Sequence, residues 1–485
     1  MSGEEKPPTP KKVVIQVNRP GPKLGVDLTK TPKNWLPDAR NARLEFRARI
    51  YAYQGGKWVY PGEPRKITFI LKEVSKEKGI CLNFPSKNKS NENPDLFFAD
   101  DDDRMKEFTF DEDKTDKKNC PTTIVARNDN PSHKYHYLKA TTKTAVTEAV
   151  AVVRCEDYGA FGVLEASAPE CEAIPPREAG GQPGEGVGPN DIKIPRDDND
   201  NKIADIAPQD DGGAAGDSDG DDEPEIDGYD GDGLTNYEEY RGFIVKRGRG
   251  VEHIRTSIKK KDLFIYDKDG LGTGFFHKSG LVLHFIPKPD YYAGDSSKKD
   301  ASPDAGKQII NFNAGNATKG EQHALRLVNE RIRGCYGYCY GDGPGLPKVT
   351  NRVAINKKLC TGKDEHADQL SAVIAHEMGH AVNVFHHGEE PNSDHVCGGK
   401  VTDEGGRVTS GDVTCVMRYD NYNYTQWCHV KDDGTHCRHP IPSPENPGTT
   451  FCDSKRGTGC NLVSNAHRND ATVGVCKTHI RIKGW

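Results

Sequence analysis

Apolar and polar residues alternate in short runs along the first third of the chain. In the clearest run, from Leu44 to Ala52, every second residue is apolar and Glu, Arg or Tyr stands between them. A period of two places the apolar side chains on one face of an extended strand. Similar runs recur at 66–71, 122–126, 146–153 and 158–166. Several such strands with turn-rich spacers predict an antiparallel β-sandwich over residues 41–171, preceded by a polar segment, 1–40.

This predicted sandwich resembles the immunoglobulin-like modules of bacterial extracellular proteins. It contains no concentration of catalytic residue types, so the resemblance implies a binding or spacer role. Four cysteines fall in or at the end of it and are candidates for pairing within the module: Cys81, Cys120, Cys155 and Cys171.

The pattern is lost over residues 172–226, where Gly-Gly and Pro-Pro pairs and acidic residues predict a linker. Between Asp197 and Asp232 there are thirteen Asp and two Glu against one Lys. A solvated acidic linker is one interpretation. Calcium binding is the other, because hard cations take several oxygen ligands from tight, Gly-containing loops.

Residues 230–239 resemble the later part of an EF-hand loop, with Gly233 at the sharp turn and Glu239 at the bidentate end position. Gly228 stands where the first Asp is expected, and Asp227 lies one residue early. The predicted calcium ligands are Asp227, Asp230, Asp232 and Glu239. Acidic residues at 198–205 and 217–221 resemble, more weakly, the calcium repeats of thrombospondin type 3 modules.

Helical and strand patterns return after residue 227, where we place the start of a catalytic domain that extends to residue 485. Residues 262–266, 281–286 and 349–355 read as strands, 321–332 as an amphipathic helix, and 364–374 as a helix that runs into the segment 376–386. This order predicts an α+β domain. The Gly- and Cys-rich tail from Gly388 onward predicts a lower subdomain in which disulfides replace regular structure.

The segment that begins at His376 combines metal ligands with a general base. His376 and His380 are four residues apart, so a helix places both imidazoles on one face within reach of a single Zn²⁺. Glu377 lies beside them and can accept a proton from a zinc-bound water.

A third histidine, His386, would lie about 15 Å beyond His376 on a continuous helix, too far to share the ion. The helix must therefore end between them, and Asn383 can adopt the left-handed conformation that ends a helix. The pattern H-E-x-x-H-x-x-N-x-x-H resembles the metzincin metalloproteases, which carry Gly where this chain has Asn383. The resemblance implies zinc ligands His376, His380 and His386, a turn at Met417 beneath the metal, and an oxyanion-stabilising role for Tyr419.

Three alternatives stay open at this point. His387 competes with His386 as the third ligand, or an acidic residue downstream takes that place. The chain can also be a calcium-dependent adhesion protein whose peptidase domain is inactive. A further, structural zinc site at Cys335, Cys339, Cys428 and Cys437 fits the known spacings poorly.

Composition narrows the function further. The net charge is −6 and basic residues do not cluster with aromatic ones, so nucleic acid is not an expected partner. No stretch is apolar enough for a transmembrane helix, and the N-terminus shows no signal peptide. Ten of the fourteen cysteines lie from Cys335 onward, which predicts disulfides and export. The sequence thus predicts a secreted, multidomain zinc endopeptidase acting on proteins, with calcium as a second metal. It does not indicate an oligomeric state.

Overall fold

The structure of the chain is a computed structural model. It describes a larger share of residues 1–332 than of the remainder of the chain. The described residues are 23–27, 35–38, 42–84, 93–111, 136–173, 191–210, 216–221, 223–224, 231–287, 309–314, 322, 324–332, 336–341, 350–361, 369–384, 395–397, 401–402, 408–409, 416–417, 428–430, 436–438, 451, 462–464, 480 and 482.

Two β-sheets in the N-terminal half enclose one hydrophobic core. The first sheet consists of β1 (Lys23–Asp27), β2 (Ala42–Gln54), β3 (Lys57–Val59), β5 (Leu96–Phe98), β8 (Glu148–Cys155) and β10 (Glu172–Ala173). The second consists of β4 (Thr68–Lys72), β6 (Phe108–Phe110), β7 (Lys139–Thr142), β9 (Gly162–Ser167) and β11 (Asp191–Ile194). All pairs are antiparallel except β1 with β10.

The alternation of apolar and polar residues in the sequence determines which faces of the two sheets pack together. In β2, Leu44, Phe46, Ala48 and Ile50 are buried, while the residues between them are partly or fully exposed. These side chains pack against Phe69 and its neighbours from the second sheet. The prediction of a β-rich, multidomain chain is therefore confirmed, whereas the predicted strand at 122–126 lies outside the described residues.

Part of the predicted linker belongs to this core. Strand β11 pairs with β9, and Ile192 and Ile194 are buried among the sandwich residues. Farther along, Ile203 and Ala207 pack against Tyr240 of the C-terminal half. Isolated Ile and Ala residues in a polar stretch carry too little periodic signal to predict these contacts.

A segment of the sandwich, residues 78–84, docks onto the C-terminal half. Leu82 is buried with Phe243 and Phe264. The Asn83 amide donates to the Ile244 carbonyl (2.8 Å) and accepts from the Ile244 N–H (2.7 Å). The two halves thus share both apolar and hydrogen-bonded contacts.

A mixed five-stranded sheet, hereafter the mixed sheet, forms the centre of the C-terminal half. Its strands are β14 (Asp262–Asp267), β15 (Val282–Phe285), β16 (Leu325–Asn329), β17 (Gly337–Gly341) and β18 (Thr350–Ile355). The order is β15-β14-β16-β18-β17, with β17 antiparallel and the others parallel. A hairpin, β12 (Phe243–Arg247) and β13 (Gly250–Ile254), precedes it.

The helix predicted over 321–332 is wrong, because Leu325–Asn329 forms a central parallel strand. Leu325, Leu327 and Val328 are all buried, since layers cover both faces of the strand at this point. A strand buried on both faces loses the period of two that would have revealed it.

Three α-helices are described, α1 (Asn236–Arg241), α2 (Lys357–Cys360) and α3 (Gln369–Ala381), together with two 3₁₀ helices, Asp103–Glu107 and Gly274–Ser279. Helix α3 packs its Ile374, Ala375 and Met378 onto Val353 and Ile355 of β18. None of the described helices is long and apolar enough to cross a membrane.

Little of the predicted lower subdomain is described. It contributes three strand pairs, formed by β19 (His395–Cys397) with β24 (Leu462–Ser464), β20 (Val401–Thr402) with β21 (Val408–Thr409), and β22 (Cys428–Val430) with β23 (His436–Arg438). Val416, Met417, Phe451, Ile480 and Ile482 add buried side chains to the core under the mixed sheet. The tail therefore returns to that sheet, while its disulfide pairing stays a prediction.

Candidate metal-binding active site

Helix α3 presents His376 and His380 one turn apart on the same side. Their Nε2 atoms are 3.2 Å apart, and the ring planes are nearly perpendicular, at 87°. Two nitrogens bound to one zinc ion at ~2.0–2.1 Å with a tetrahedral angle would lie roughly 3.3 Å apart. The spacing of the two imidazoles therefore fits a single shared ion.

Main-chain carbonyl groups fix the tautomer of both rings. His376 Nδ1 donates to the Val416 carbonyl (2.7 Å), and His380 Nδ1 donates to the Val384 carbonyl (2.9 Å). Because a carbonyl oxygen only accepts, Nδ1 carries the proton in each ring, and a neutral ring then has its lone pair on Nε2. Two lone pairs that converge in this way form a donor set suited to a cation.

The chain reverses directly after His380. Helix α3 ends at Ala381, and Asn383 has a left-handed backbone with φ of 66°. The Asn383 N–H donates to the His380 carbonyl (3.0 Å), and the Val384 N–H donates to the Gly379 carbonyl (2.9 Å). These two bonds make a Schellman motif with Asn383 at the position usually taken by Gly. The prediction that the helix stops between His380 and His386 is confirmed.

A turn at Val416 and Met417 lies against the same helix. Met417 is fully buried, and its sulfur occupies the space beside Gly379, where a Cβ would approach to 2.3 Å. The preceding Val416 carbonyl is the group that orients His376. One turn therefore both packs against the helix and holds the first histidine.

The side chain of Glu377 extends from helix α3 to the edge strand β17. Burial raises the pKa of its carboxyl group to about 8, and the backbone N–H of Cys339, which donates to it, offsets part of that rise. The fit at this point is tight: a Cβ at Gly337 would lie 2.5 Å from Glu377 Cγ. A carboxyl group in such a setting is suited to accept and release a proton near neutral pH.

The remaining residues of the predicted zinc site lie outside the described residues. These are the third ligand His386, its competitor His387, and Tyr419. The structure places His376, Glu377 and His380 on one helix, and the roles of all six residues stay predictions.

A second cluster of ligand-type residues lies in the acidic region. Asp219, Asp221 and Asp232 each place one carboxylate oxygen within 4.8 Å of the others. Of the predicted loop ligands, Asp232 and Glu239 are fully buried, whereas Asp227 and Asp230 lie outside the described residues. The cluster therefore joins Asp232 to two carboxylates of the weaker upstream match, 217–221.

Electrostatic repulsion is strong at this cluster. Burial, reinforced by neighbouring carboxylates such as Asp232 and Asp219, raises the pKa of Asp221 to about 10, although Lys261 acts in the opposite direction. Burial and the charge of Asp221 raise the pKa of Glu239 to about 11. The cluster thus disfavours its own ionised form as long as no cation compensates the charge.

Sequence reasoning missed Asp262, which belongs to this neighbourhood. It is the first residue of β14 and is fully buried, its pKa is raised by burial, and its carboxylate is hydrogen-bonded to His284 Nε2. His284 is also buried, and burial lowers its pKa to about 4. The only sequence signal for a buried Asp262 was its position directly before the apolar run 263–266. The same position is equally typical of an Asp at the exposed start of a strand.

A scan against protein-family models and searches of curated proteins and of solved structures returned no match.

Proposed function

We propose that this protein is a secreted zinc-dependent endopeptidase that hydrolyses peptide bonds in proteins. The observation that carries the proposal is the convergence of the His376 and His380 Nε2 atoms, 3.2 Å apart, on the helix that also carries Glu377, whose carboxyl group lies against strand β17. Two imidazoles with fixed tautomers and an adjacent carboxyl group are the parts that metal-assisted hydrolysis needs. The cysteine-rich tail supports the expectation of export.

Glu377 is the proton carrier in this mechanism. When bound, the zinc ion would supply Lewis acidity, lowering the pKa of a water molecule and polarising the substrate carbonyl. Glu377 accepts the proton of the attacking water and returns it to the leaving amine. His376 and His380 keep their Nδ1 protons directed to the carbonyl groups of Val416 and Val384, which leaves their Nε2 atoms to hold the metal.

The edge of the mixed sheet supports a peptide as the substrate. Strand β17 is the last strand in the order, and no described strand pairs with its outer side. The Tyr336 carbonyl accepts from Asn356 N–H across the pair. Because the hydrogen-bonding direction alternates along an antiparallel ladder, the N–H of Cys339 points away from β18, towards Glu377. An extended peptide added along this edge would therefore pass beside the general base.

His386 is proposed as the third zinc ligand on the evidence of the sequence motif alone. His386 follows the reversal at Asn383, and a chain that turns back after α3 can return a side chain to the two imidazoles. Tyr419, two residues after Met417, is proposed to assist the oxyanion. Zinc content measured in His386→Ala and His387→Ala proteins decides the register. Unchanged zinc in both would favour an acidic third ligand.

The test of the function is digestion of an unfolded protein by the purified full chain, with zinc measured on the same sample. Glu377→Gln is expected to retain zinc and to lose about 10²- to 10⁴-fold in kcat, because only the proton carrier is removed. Glu252→Gln, on the exposed strand β13, is the matched control and should leave activity unchanged.

Two outcomes would contradict the proposal. Proteolysis that persists in the Glu377→Gln protein would remove the mechanism. A wild-type protein that holds zinc but cleaves no protein would favour the alternative, a calcium-dependent adhesion protein with an inactive peptidase domain.

A further inference from the structure

Three separate parts of the chain meet at the acidic cluster. Residues 216–221 lie along the start of helix α1, where the Asn236 N–H donates to the Ser218 carbonyl (2.8 Å) and the Tyr237 N–H to the Gly216 carbonyl (2.9 Å). The Asp232 carboxylate accepts the N–H of Asp262, the first residue of β14 (2.7 Å). The acidic region is thus joined directly to the mixed sheet.

The carboxylates at this junction are removed from solvent. Asp221, Glu239 and Asp262 are each 1% exposed, and Asp232 is 0% exposed. Asp232 is well supplied with donors, because the N–H groups of Leu234 (2.9 Å) and Asp262 reach its two oxygens. Asp219 accepts from the N–H groups of Asp232 and Gly233.

Within the described ranges, Asp221 differs from Asp219 and Asp232 in its lack of hydrogen-bond donors. Neither of its oxygens has a hydrogen-bond partner among the described residues, although the side chain is buried and one oxygen lies within 4.8 Å of the Asp219 and Asp232 carboxylates. Both oxygens of Glu239 are in the same state, and the nearby Thr256 hydroxyl lies outside hydrogen-bonding geometry. Burying a carboxylate without a partner is strongly unfavourable, so these oxygens indicate a ligand.

The cationic side chains nearby do not fill this role. Lys261 is buried and acts on Asp221, but its ammonium group contacts the Ile480 carbonyl (Nζ to O, 3.5 Å). His284 donates to Asp262 through Nε2 and so holds one oxygen of that carboxylate. The second oxygen of Asp262 has no partner within the part of the chain that the structure describes.

We propose that Asp219, Asp221 and Asp232 bind one Ca²⁺ ion, with Glu239 and Asp262 completing the negative charge around it. The donors are all oxygen atoms, and the number of carboxylates suits the six to eight oxygen ligands that calcium takes. Magnesium keeps several waters and is held by one or two carboxylates, which a site this buried and this acidic does not suit. Zinc prefers nitrogen and sulfur ligands.

The site differs from the loop predicted from the sequence, because two of its ligands come from the segment 216–221 and one, Asp232, from the start of the 231–239 segment, while Asp262 of β14 contributes charge beside them. An ion at this position ties the acidic region to the first strand of the sheet on which helix α3 packs. Calcium would therefore stabilise the C-terminal half, which also carries helix α3. This role is independent of the proposed peptidase activity.

The test uses the purified full chain, stripped of calcium with a calcium-selective chelator and then titrated with CaCl₂ in a calorimeter. Thermal unfolding is followed on the same samples by circular dichroism. The wild type is expected to bind calcium and to unfold at a higher temperature as calcium is added. MgCl₂ at the same concentration should produce a much smaller shift.

Substitution of single carboxylates locates the site. Asp221→Asn is expected to weaken calcium binding by about tenfold or more, because the charge of a central ligand is lost. In the absence of calcium the same protein should unfold at or above the wild-type temperature, since one buried charge is gone. Asp217→Asn, four residues earlier and exposed, is the matched control and should bind calcium as the wild type does.

Glu239→Gln serves as a second variant if Asp221→Asn does not fold. Absence of calcium-dependent heat or stabilisation in the wild type would overturn the proposal. So would wild-type affinity in both variants, and equal stabilisation by magnesium would overturn the assignment to calcium. None of these results depends on whether the protein cleaves peptides.

Discussion

At the scale of single residues, the position of the Glu377 carboxyl group depends on a missing side chain across from it. Gly337 leaves room that a Cβ would fill, at 2.5 Å from Glu377 Cγ and 2.8 Å from Oε1. The backbone of Gly337 has no left-handed φ that would exclude Ala. The glycine is therefore needed for space at this point and not for backbone conformation.

We expect Gly337→Ala to displace Glu377 and to lower kcat on the order of 10²-fold, because a shift of about 1 Å in a catalytic group has that effect. Zinc content should not change, since the carbonyl groups that orient both imidazoles belong to Val416 and Val384 and not to Gly337. Initial rates and zinc content on one preparation provide the measurement. Gly250→Ala is the control, because the nearest atom to its Cβ, the Arg247 carbonyl oxygen, is 3.9 Å away. Equal rates in the two variants would remove the packing argument.

At the scale of elements, the end of helix α3 places the group that orients His380. The left-handed backbone at Asn383 directs the chain so that the Val384 carbonyl reaches His380 Nδ1. A substitution at position 383 therefore acts on the metal site through the path of the chain.

We expect Asn383→Gly to retain zinc, since Gly adopts the left-handed conformation without strain. Asn383→Val should lower the free energy of unfolding by about 1–2 kcal/mol or more and weaken zinc binding, because a β-branched residue disfavours this conformation. Thermal unfolding and zinc affinity check both. If the valine variant binds zinc as tightly as the glycine variant, the helix end does not control His380.

Elements with a clean period could be predicted from the sequence. Strand β2 displays one apolar face, and the run 364–374 that leads into the histidines of helix α3 contains apolar residues and no Gly or Pro, so these sequence features were sufficient. Strand β16 could not be predicted, because Leu325, Leu327 and Val328 satisfy a helical period as well as a strand buried on both faces. Only its two parallel neighbours, β14 and β18, decide between these.

The two candidate sites differ in how far apart their residues lie in the sequence. His376, Glu377 and His380 lie within five residues of one helix, so their spacing alone placed them together. The acidic cluster draws Asp221, Asp232 and Asp262 from three segments, and sequence spacing carries no information about such a meeting. The loop motif includes Asp232 and Glu239, which are both buried, and their role as calcium ligands stays a prediction. It had no means of finding Asp262.

At the scale of the whole molecule, Asn83 connects the sandwich to the C-terminal half. Its side chain is fully buried and bonds both main-chain groups of Ile244, as a neighbouring strand would. Arg241 adds a bond from its guanidinium group to the Lys78 carbonyl (3.0 Å). The sandwich is therefore joined to the C-terminal half by buried hydrogen bonds as well as by apolar contacts.

We expect Asn83→Ala to lower the free energy of unfolding by about 2–3 kcal/mol, because it leaves two buried main-chain groups without these bonds. Urea denaturation of the full chain measures the change. Gln54→Ala, at the exposed end of β2, should change stability little. A loss no larger than that of the control would mean that the two Asn83 hydrogen bonds add little to the other contacts between the two halves.

The two imidazoles take their orientation from the carbonyl oxygens of Val384 and Val416, and every residue type has a carbonyl group. Substitution at these two positions therefore cannot delete the hydrogen bonds, as long as the chain keeps its path. The side chains at 384 and 416 are therefore constrained by packing alone, whereas the residue at 383 must allow the reversal and Met417 must fill the space beside Gly379. Distant relatives of this site would then share the histidines and the course of the backbone, with little other sequence in common.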